Sequence, residues 1–89
     1  MDARLIYNPT AGPRDVTADL ERLRTFFADE GWAVELTRTK GPGDAVELAR
    51  DAALEGRDGV IVAGGDGTVN EVVNGLMGSE TALGVLPVG

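Results

Sequence analysis

Apolar and polar residues alternate in two rhythms along this chain of 89 residues. Short apolar runs rich in β-branched residues predict four strands, at residues 4–9, 32–38, 59–65 and 82–89. Apolar residues spaced three and four positions apart predict three intervening helices, at about residues 15–30, 44–55 and 68–77. Strands and helices therefore alternate, which predicts the α/β class: a parallel sheet with helices packed on both faces.

The helix boundaries carry signals of their own. Asp44 is expected to be the N-cap of the second helix, with Glu47 three residues later. Thr68 and Glu71 have the spacing of a capping box for the third helix. Gly31 is expected to end the first helix. We expect the aromatic residues around that end to belong to the core: Phe26, Phe27 and Trp32.

Three polar, glycine-containing stretches follow the predicted strands directly. They are residues 8–12, 37–44 and 64–68. Loops at the carboxyl ends of parallel strands meet at one edge of the sheet, which is where open α/β folds carry their sites. We therefore expect the three stretches to converge on one crevice.

The stretch at residues 64–68, GGDGT, lies between a continuous apolar strand and a helix. Glycines let backbone N–H groups approach phosphate oxygens, and the following helix adds free N–H groups and the positive end of its dipole. The stretch is not a Walker loop, because no lysine follows the glycines. It is not the dinucleotide G-x-G-x-x-G motif either, because the third glycine is missing. The context predicts a phosphate-binding loop.

Asp66 places a carboxylate at the centre of this anion-binding stretch. It could bind Mg²⁺ that lies between the carboxylate and the phosphates, or accept the proton of an attacking hydroxyl during phosphoryl transfer. A third interpretation is an ordinary turn aspartate, which is favoured beside glycine. The first two roles need a nucleotide and a metal, and they fit a kinase better than a dehydrogenase.

Composition narrows the function classes. The net charge of −7 argues against nonspecific nucleic-acid binding, which needs a basic face. The chain has no cysteine and no histidine, so we expect neither disulfides nor a zinc site. No apolar run approaches the roughly 18 residues of a membrane span, and no leader peptide is recognised. We therefore expect a cytoplasmic location.

The three stretches and their order resemble the amino-terminal part of the diacylglycerol kinase catalytic domain, as found in bacterial soluble lipid kinases. The resemblance runs from residues 6–12 through 39–45 to 83–89 and is most specific at residues 62–76, VAGGDGTVNEVVNGL. It covers essentially the entire chain. It implies a fold like that of the 6-phosphofructokinases and NAD kinases.

The resemblance also implies an ATP site. The implied nucleotide-binding residues are Asn8, Pro9, Thr10, Ala11, Gly12, Thr39, Gly64, Gly65, Asp66, Gly67, Thr68, Val69, Asn70 and Glu71. Family enzymes use ATP and Mg²⁺ to phosphorylate a lipid hydroxyl, forming phosphatidic acid from diacylglycerol in phospholipid biosynthesis. In this chain Asp66 is the candidate both for Mg²⁺ binding and for proton acceptance. In the similar bacterial enzymes, however, the proposed base is a carboxylate of a carboxyl-terminal β domain.

The fourth predicted strand reaches Gly89 with no helix after it. We therefore expect a fragment: residues 1–89 as the amino-terminal, nucleotide-binding part, without the lipid-binding carboxyl-terminal domain and inactive alone. The complete protein is expected to contact a membrane peripherally, and a homodimer is left open. The alternatives are an NAD kinase-type phosphotransferase, a non-catalytic nucleotide-binding module and a decayed product without function.

Overall fold

The computed structural model describes residues 1–8 and 17–87. Its elements follow the predicted order: β1 Asp2–Tyr7, α1 Thr17–Asp29, β2 Ala33–Arg38, α2 Asp44–Leu54, β3 Gly59–Gly64, α3 Asp66–Leu76 and β4 Ala82–Pro87. The strands form a parallel sheet in the order β2-β1-β3-β4. The predicted α/β class is confirmed. Among the described helices, none has the length and apolar character that crossing a membrane requires.

Alternate side chains of the strands supply two cores, one on each face of the sheet. Leu5 and Tyr7 of β1 belong to a core that includes Leu20 of α1. Ile6, which lies between them in sequence, belongs to the opposite core with side chains of α2 and α3. β3 contributes to both cores and is buried at nearly every position, as its continuous apolar run predicted. Helices therefore cover both faces, as predicted.

The direction of the chain across the sheet reverses between β1 and β3. β1 leads through α1 to β2 at one edge, and the chain then returns through α2 to β3 and continues to β4. Right-handed crossovers in opposite directions place α1 on one face and α2 and α3 on the other. The carboxyl ends of β1 and β3 therefore form the topological switch point, which is the usual ligand-binding place of open α/β sheets.

α2 and α3 approach each other closely because the residues between them are small. Ala45, Ala49 and Ala52 of α2 are buried. A Cβ atom at Gly75 of α3 would lie 2.8 Å from the Cβ of Ala49 and would overlap the carbonyl oxygen of Val46. Since α3 begins at the predicted phosphate loop, this contact sets the position of that loop relative to α2.

The expected N-cap of α2 is wrong by one residue. Asp44 is the first helical residue, and the N-cap is Gly43, which has a φ of 91°. Glycine takes this left-handed conformation without the steric cost of a Cβ atom. The Asp44 carboxylate instead accepts a hydrogen bond from the N–H of Lys40, at 2.7 Å. It therefore shapes the loop before α2 and leaves the helix itself without a side-chain cap.

One aromatic residue expected in the core is mainly exposed. Phe26 is 57% exposed and contacts the ring of Phe27 edge-on, with 5.8 Å between ring centroids. Phe27 and Trp32 are partly buried against the core on the α1 face. Successive residues of a helix point about 100° apart, so α1 cannot direct both rings at the sheet.

A network of arginines and glutamates joins β1, β2 and α2. The buried guanidinium of Arg4 donates to Glu35 at 2.8 Å and to the carbonyl oxygen of Leu48 at 3.0 Å. Arg57 lies 3.1 Å from the carboxylates of both Glu35 and Glu55. The hydrogen bond from Arg4 holds the pKa of Glu35 below its usual value of 4.5; the charge of Arg57 acts in the same direction, and partial burial opposes both.

We expect Glu35→Gln to lower the free energy of unfolding by about 0.5–1 kcal/mol at neutral pH, a small effect because solvent screens a side chain that is 49% exposed. The pKa of Glu35 is depressed in the folded state. Its stabilisation is therefore present above pH 4.5 and is lost as the pH falls from there through the folded-state pKa. Urea unfolding from neutral pH to about pH 3 measures this, with exposed Glu30→Gln as the control. A difference that persists undiminished in acid would contradict the prediction.

Candidate functional site

The stretches that were expected to converge do so at the carboxyl edge of the sheet. An open cleft of about 640 Å³ is lined by Asn8 after β1, by residues 38–42 at and after the end of β2, and by Gly67, Thr68 and Glu71 of α3. The cleft lies at the topological switch point. The predicted convergence is confirmed for the described residues, whereas residues 9–12 lie outside them.

α3 begins two residues earlier than predicted. Asp66 is its first residue and Gly65 is its N-cap. The N–H of Val69 donates to the carbonyl oxygen of Gly65 at 3.0 Å. Because Gly65 is extended, with φ −83° and ψ −176°, β3 passes into α3 without a loop. Thr68 therefore lies inside the first turn, and the expected capping box with Glu71 is wrong.

The junction of β3 and α3 brings the amino-terminal end of a helix to one end of the cleft. The N–H groups of the first helical turn have no partner within a helix, and the helix dipole adds positive potential there. Gly67 and Thr68 belong to this turn and line the cleft. No side chain of the described residues caps the turn. The N–H groups are therefore placed to bind phosphate oxygens.

Glu71 connects α3 to the loop that precedes α2. Its Oε1 atom accepts a hydrogen bond from the N–H of Gly43 at 3.0 Å, although 28 residues separate the two in sequence. Together with the bond from Lys40 N–H to Asp44, this contact fixes the shape of the loop. Glu71 also lines the cleft, and the expected contact of this residue with a nucleotide stays a prediction.

Thr39 is held at the floor of the loop after β2. Its N–H donates to the carbonyl oxygen of Tyr7 at 2.9 Å, which extends the pairing of β1 and β2 one residue beyond Arg38. The residue is 8% exposed and still lines the cleft. Thr39 therefore lies at the cleft, and its contact with a nucleotide stays a prediction.

Two cations of the cleft were missed by reasoning from sequence. Arg38 and Lys40 flank Thr39 and line the cleft, but the glycines of the same stretch indicate only a turn. The available signal was their position: two basic residues at the end of a strand, in a chain with 8 basic and 15 acidic residues.

The described residues contain no cluster of three or more metal-binding side chains. Asp66 is exposed at the start of α3, beside the N–H groups that would bind phosphate. Mg²⁺ usually takes one or two carboxylates and completes its coordination with phosphate oxygens and water. A single carboxylate at this position fits a Mg²⁺ ion that arrives with a nucleotide.

Comparison with known protein families agrees with the geometry. The model of the diacylglycerol kinase catalytic domain matches residues 2–89. The chain belongs to this family. The resemblance based on residues 62–76 is thereby confirmed.

Curated members of the diacylglycerol kinase family are similar to the chain over most of its length. A diacylglycerol kinase of Bacillus subtilis (strain 168) is 45% identical, over 98% of this chain and 29% of the relative. One from Staphylococcus aureus (strain MRSA252) is 40% identical, over 98% of this chain and 28% of the relative. The chain thus spans less than a third of the length of these two relatives.

A solved crystal structure of a diacylglycerol kinase from Bacillus anthracis str. Sterne has the same fold. Its TM-score is 0.78 at 35% identity, and the match covers 99% of this chain and 33% of that chain. The agreement supports the sheet order and the positions of the three helices.

The residues that the diacylglycerol kinase resemblance implied divide into three groups. Asn8, Thr39, Gly67, Thr68 and Glu71 line the cleft. Five others in the stretch do not: Gly64 and Val69 are buried or partly buried, and Gly65, Asp66 and Asn70 are exposed. The remainder, Pro9, Thr10, Ala11 and Gly12, lie outside the described residues. For the residues of all three groups, contact with a nucleotide stays a prediction.

Proposed function

We propose that the chain supplies part of the ATP site of a lipid kinase that transfers the γ-phosphate of ATP to a hydroxyl group of diacylglycerol. The observation that carries the proposal is the cleft at the switch point, where the uncapped start of α3 meets the loop after β2. Membership of the diacylglycerol kinase catalytic domain family and the names of the relatives support the reaction and the acceptor.

In the proposed reaction, the acceptor hydroxyl oxygen forms a bond with the γ-phosphorus. The bond from that phosphorus to the oxygen bridging the β- and γ-phosphates breaks, ADP leaves, and the hydroxyl proton passes to a base. Catalysis of this kind depends mainly on positioning and on stabilising negative charge. The chain contributes to that task the N–H groups at the start of α3 and two cations, Arg38 at the end of β2 and Lys40 in the loop after it.

Mg²⁺ would neutralise part of the phosphate charge when it is bound with ATP. Asp66 is the residue of this chain proposed to hold it, because its carboxylate lies beside the first turn of α3. Asp66 is also the candidate proton acceptor within these residues. A carboxylate in a domain that these residues do not include is the alternative base.

The proposed function is tested by phosphate transfer from labelled ATP to diacylglycerol in mixed micelles, using the polypeptide at the length that cells make. Intact mass, compared with 9.3 kDa for these residues, establishes that length. We expect phosphatidic acid to form with Mg²⁺ and no product from the isolated 89-residue chain. Transfer to NAD⁺ and not to lipid would favour the NAD kinase alternative. Binding of Mg-ATP without transfer to either acceptor would favour a non-catalytic nucleotide-binding module.

Peripheral membrane contact and a cytoplasmic location belong to the same proposal. The acceptor is embedded in a bilayer, whereas the cleft is polar and takes a water-soluble nucleotide. The complete protein must therefore bring a polar site to a membrane surface.

A further inference from the structure

The cations of this protein differ in whether they have a partner. Among the described residues, Arg4 and Arg57 bind the carboxylates of Glu35 and Glu55, and three arginines on exposed helix faces pair with acidic residues three positions earlier. Those pairs are Arg22–Asp19, Arg24–Glu21 and Arg50–Glu47. Arg38 and Lys40 have no ion pair within residues 1–8 and 17–87, and both line the cleft.

Two acidic residues near the cleft hold backbone N–H groups of the loop between β2 and α2. Glu71 is the acidic residue that lines the cleft, and its carboxylate accepts from the N–H of Gly43. The carboxylate of Asp44 accepts from the backbone N–H of Lys40, and the Lys40 ammonium group makes no ion pair among the described residues. In a chain of net charge −7, two cations therefore line the described part of the cleft beside a single acidic lining residue.

Several backbone N–H groups of the loop that follows Arg38 and contains Lys40 already donate hydrogen bonds within the protein. The N–H groups of Thr39, Lys40 and Gly43 bind Tyr7, Asp44 and Glu71 respectively. This wall of the cleft therefore recognises a ligand mainly through side chains, whereas the start of α3 offers backbone N–H groups. Two walls with different donors suit a ligand that carries several phosphates in a row.

We propose that Arg38 and Lys40 bind the phosphate chain of the nucleotide and make the cleft selective for polyphosphorylated over monophosphorylated ligands. The inference rests on the proposed ATP site and adds the residues that would distinguish ligands by their number of phosphate groups. Arginine can form two parallel hydrogen bonds to a phosphate, and lysine supplies a mobile point charge. A ligand with more phosphate groups can therefore contact both Arg38 and Lys40.

The test compares Arg38→Gln/Lys40→Gln with Arg22→Gln/Arg24→Gln in the polypeptide at its natural length. Both double variants remove two positive charges, but the control changes exposed ion pairs on α1. Calorimetry measures the affinity of each for ATP, ADP, AMP and inorganic tripolyphosphate. We expect the cleft variant, Arg38→Gln/Lys40→Gln, to bind ATP and tripolyphosphate about 10- to 100-fold more weakly than the parent does. Its affinity for AMP should stay within about threefold of the parent's affinity. The control should match the parent for all four ligands.

Several outcomes would overturn the inference. Unchanged ATP affinity would show that the two cations do not contact phosphates. Equal losses of affinity for ATP and AMP would show that they do not distinguish ligands by their number of phosphate groups. Loss of binding to phosphatidylglycerol vesicles with ATP binding intact would assign the cations to an anionic membrane surface. A parent protein that binds neither ATP nor tripolyphosphate would also overturn it.

Failure of the proposed function gives a different result. If the parent phosphorylates no lipid but binds tripolyphosphate, and the cleft variant loses that binding, the inference stands and the kinase assignment fails. If lipid phosphorylation proceeds and the cleft variant keeps the parent's affinity for ATP, the kinase assignment stands and the inference fails. Circular dichroism of each variant confirms that the fold is retained.

Discussion

Replacing Gly75 by leucine is expected to lower the free energy of unfolding by about 3 kcal/mol or more. Even a single added Cβ atom would lie 2.8 Å from the Cβ of Ala49 and would meet the backbone of Val46. Backbone atoms cannot move aside as the end of a flexible side chain can, so α3 must shift away from α2. A loss of this size is a large fraction of the stability of a small domain.

A graded series separates this steric effect from helix propensity. We expect Gly75→Ala to cost about 1–2 kcal/mol, because overpacking outweighs the gain of about 1 kcal/mol in helix propensity. Gly67→Ala, in the same helix, has no atom within 4 Å of the added Cβ and should be neutral or stabilising. Urea unfolding followed by circular dichroism measures both. Equal effects of the two alanine substitutions would contradict the interpretation.

A second substitution tests the contact itself. Ala49→Gly removes the side-chain atom that would lie 2.8 Å from an added Cβ at Gly75. In a double-mutant cycle, we expect Ala49→Gly to recover part of the stability lost in Gly75→Ala. The recovery should be incomplete, because the contact with the carbonyl oxygen of Val46 remains.

The second large effect is expected from Asp66→Asn, which should change the affinity for nucleotide and the rate of phosphate transfer. With Mg²⁺, we expect nucleotide affinity to fall about 10-fold or more, because a charged ligand for the metal is lost. Without Mg²⁺, affinity should stay the same or rise, since the carboxylate then only repels the phosphates. If Asp66 also accepts the hydroxyl proton, the rate of transfer should fall by about 10²–10⁴. Calorimetry with and without the metal, together with the transfer assay, measures these effects.

The control for this substitution is Asp51→Asn, an isosteric change at an exposed position of α2. Equal losses of affinity with and without Mg²⁺ would mean that Asp66 serves only to start α3. The geometry argues against that role, because no side chain among the described residues caps the helix. Loss of the favourable charge near the helix dipole is expected to change stability by only about 0.3–1 kcal/mol.

Local sequence patterns were reliable where an element depends on its own residues. The apolar run of β3 predicted a strand buried on both faces, and its buried side chains serve both cores. The stretches after β1, β2 and β3 were predicted to meet, and those described do meet at the cleft. Both results follow from periodicity and from the parallel arrangement of the strands, which nearby residues determine.

The same reasoning was wrong where two local signals competed. Thr68 and Glu71 have the spacing of a capping box, but extended Gly65 allows α3 to begin at Asp66. Asp44 was favoured as an N-cap, but Gly43 takes that position and Asp44 binds the preceding loop. Each motif is compatible with several short-range partners, and the surrounding chain selects one of them.

The amino-acid sequence by itself determined the order of strands and helices, the α/β class and the family to which the chain belongs. Only the tertiary structure decided that Gly75 fits against Ala49, that Glu71 holds Gly43, and that Arg38 and Lys40 have no ion pair among the described residues. The physical reason is the range of the interactions. Periodicity and turn chemistry act over a few residues, whereas steric fit and charge pairing depend on atoms that are distant in sequence and meet only when the sheet has formed.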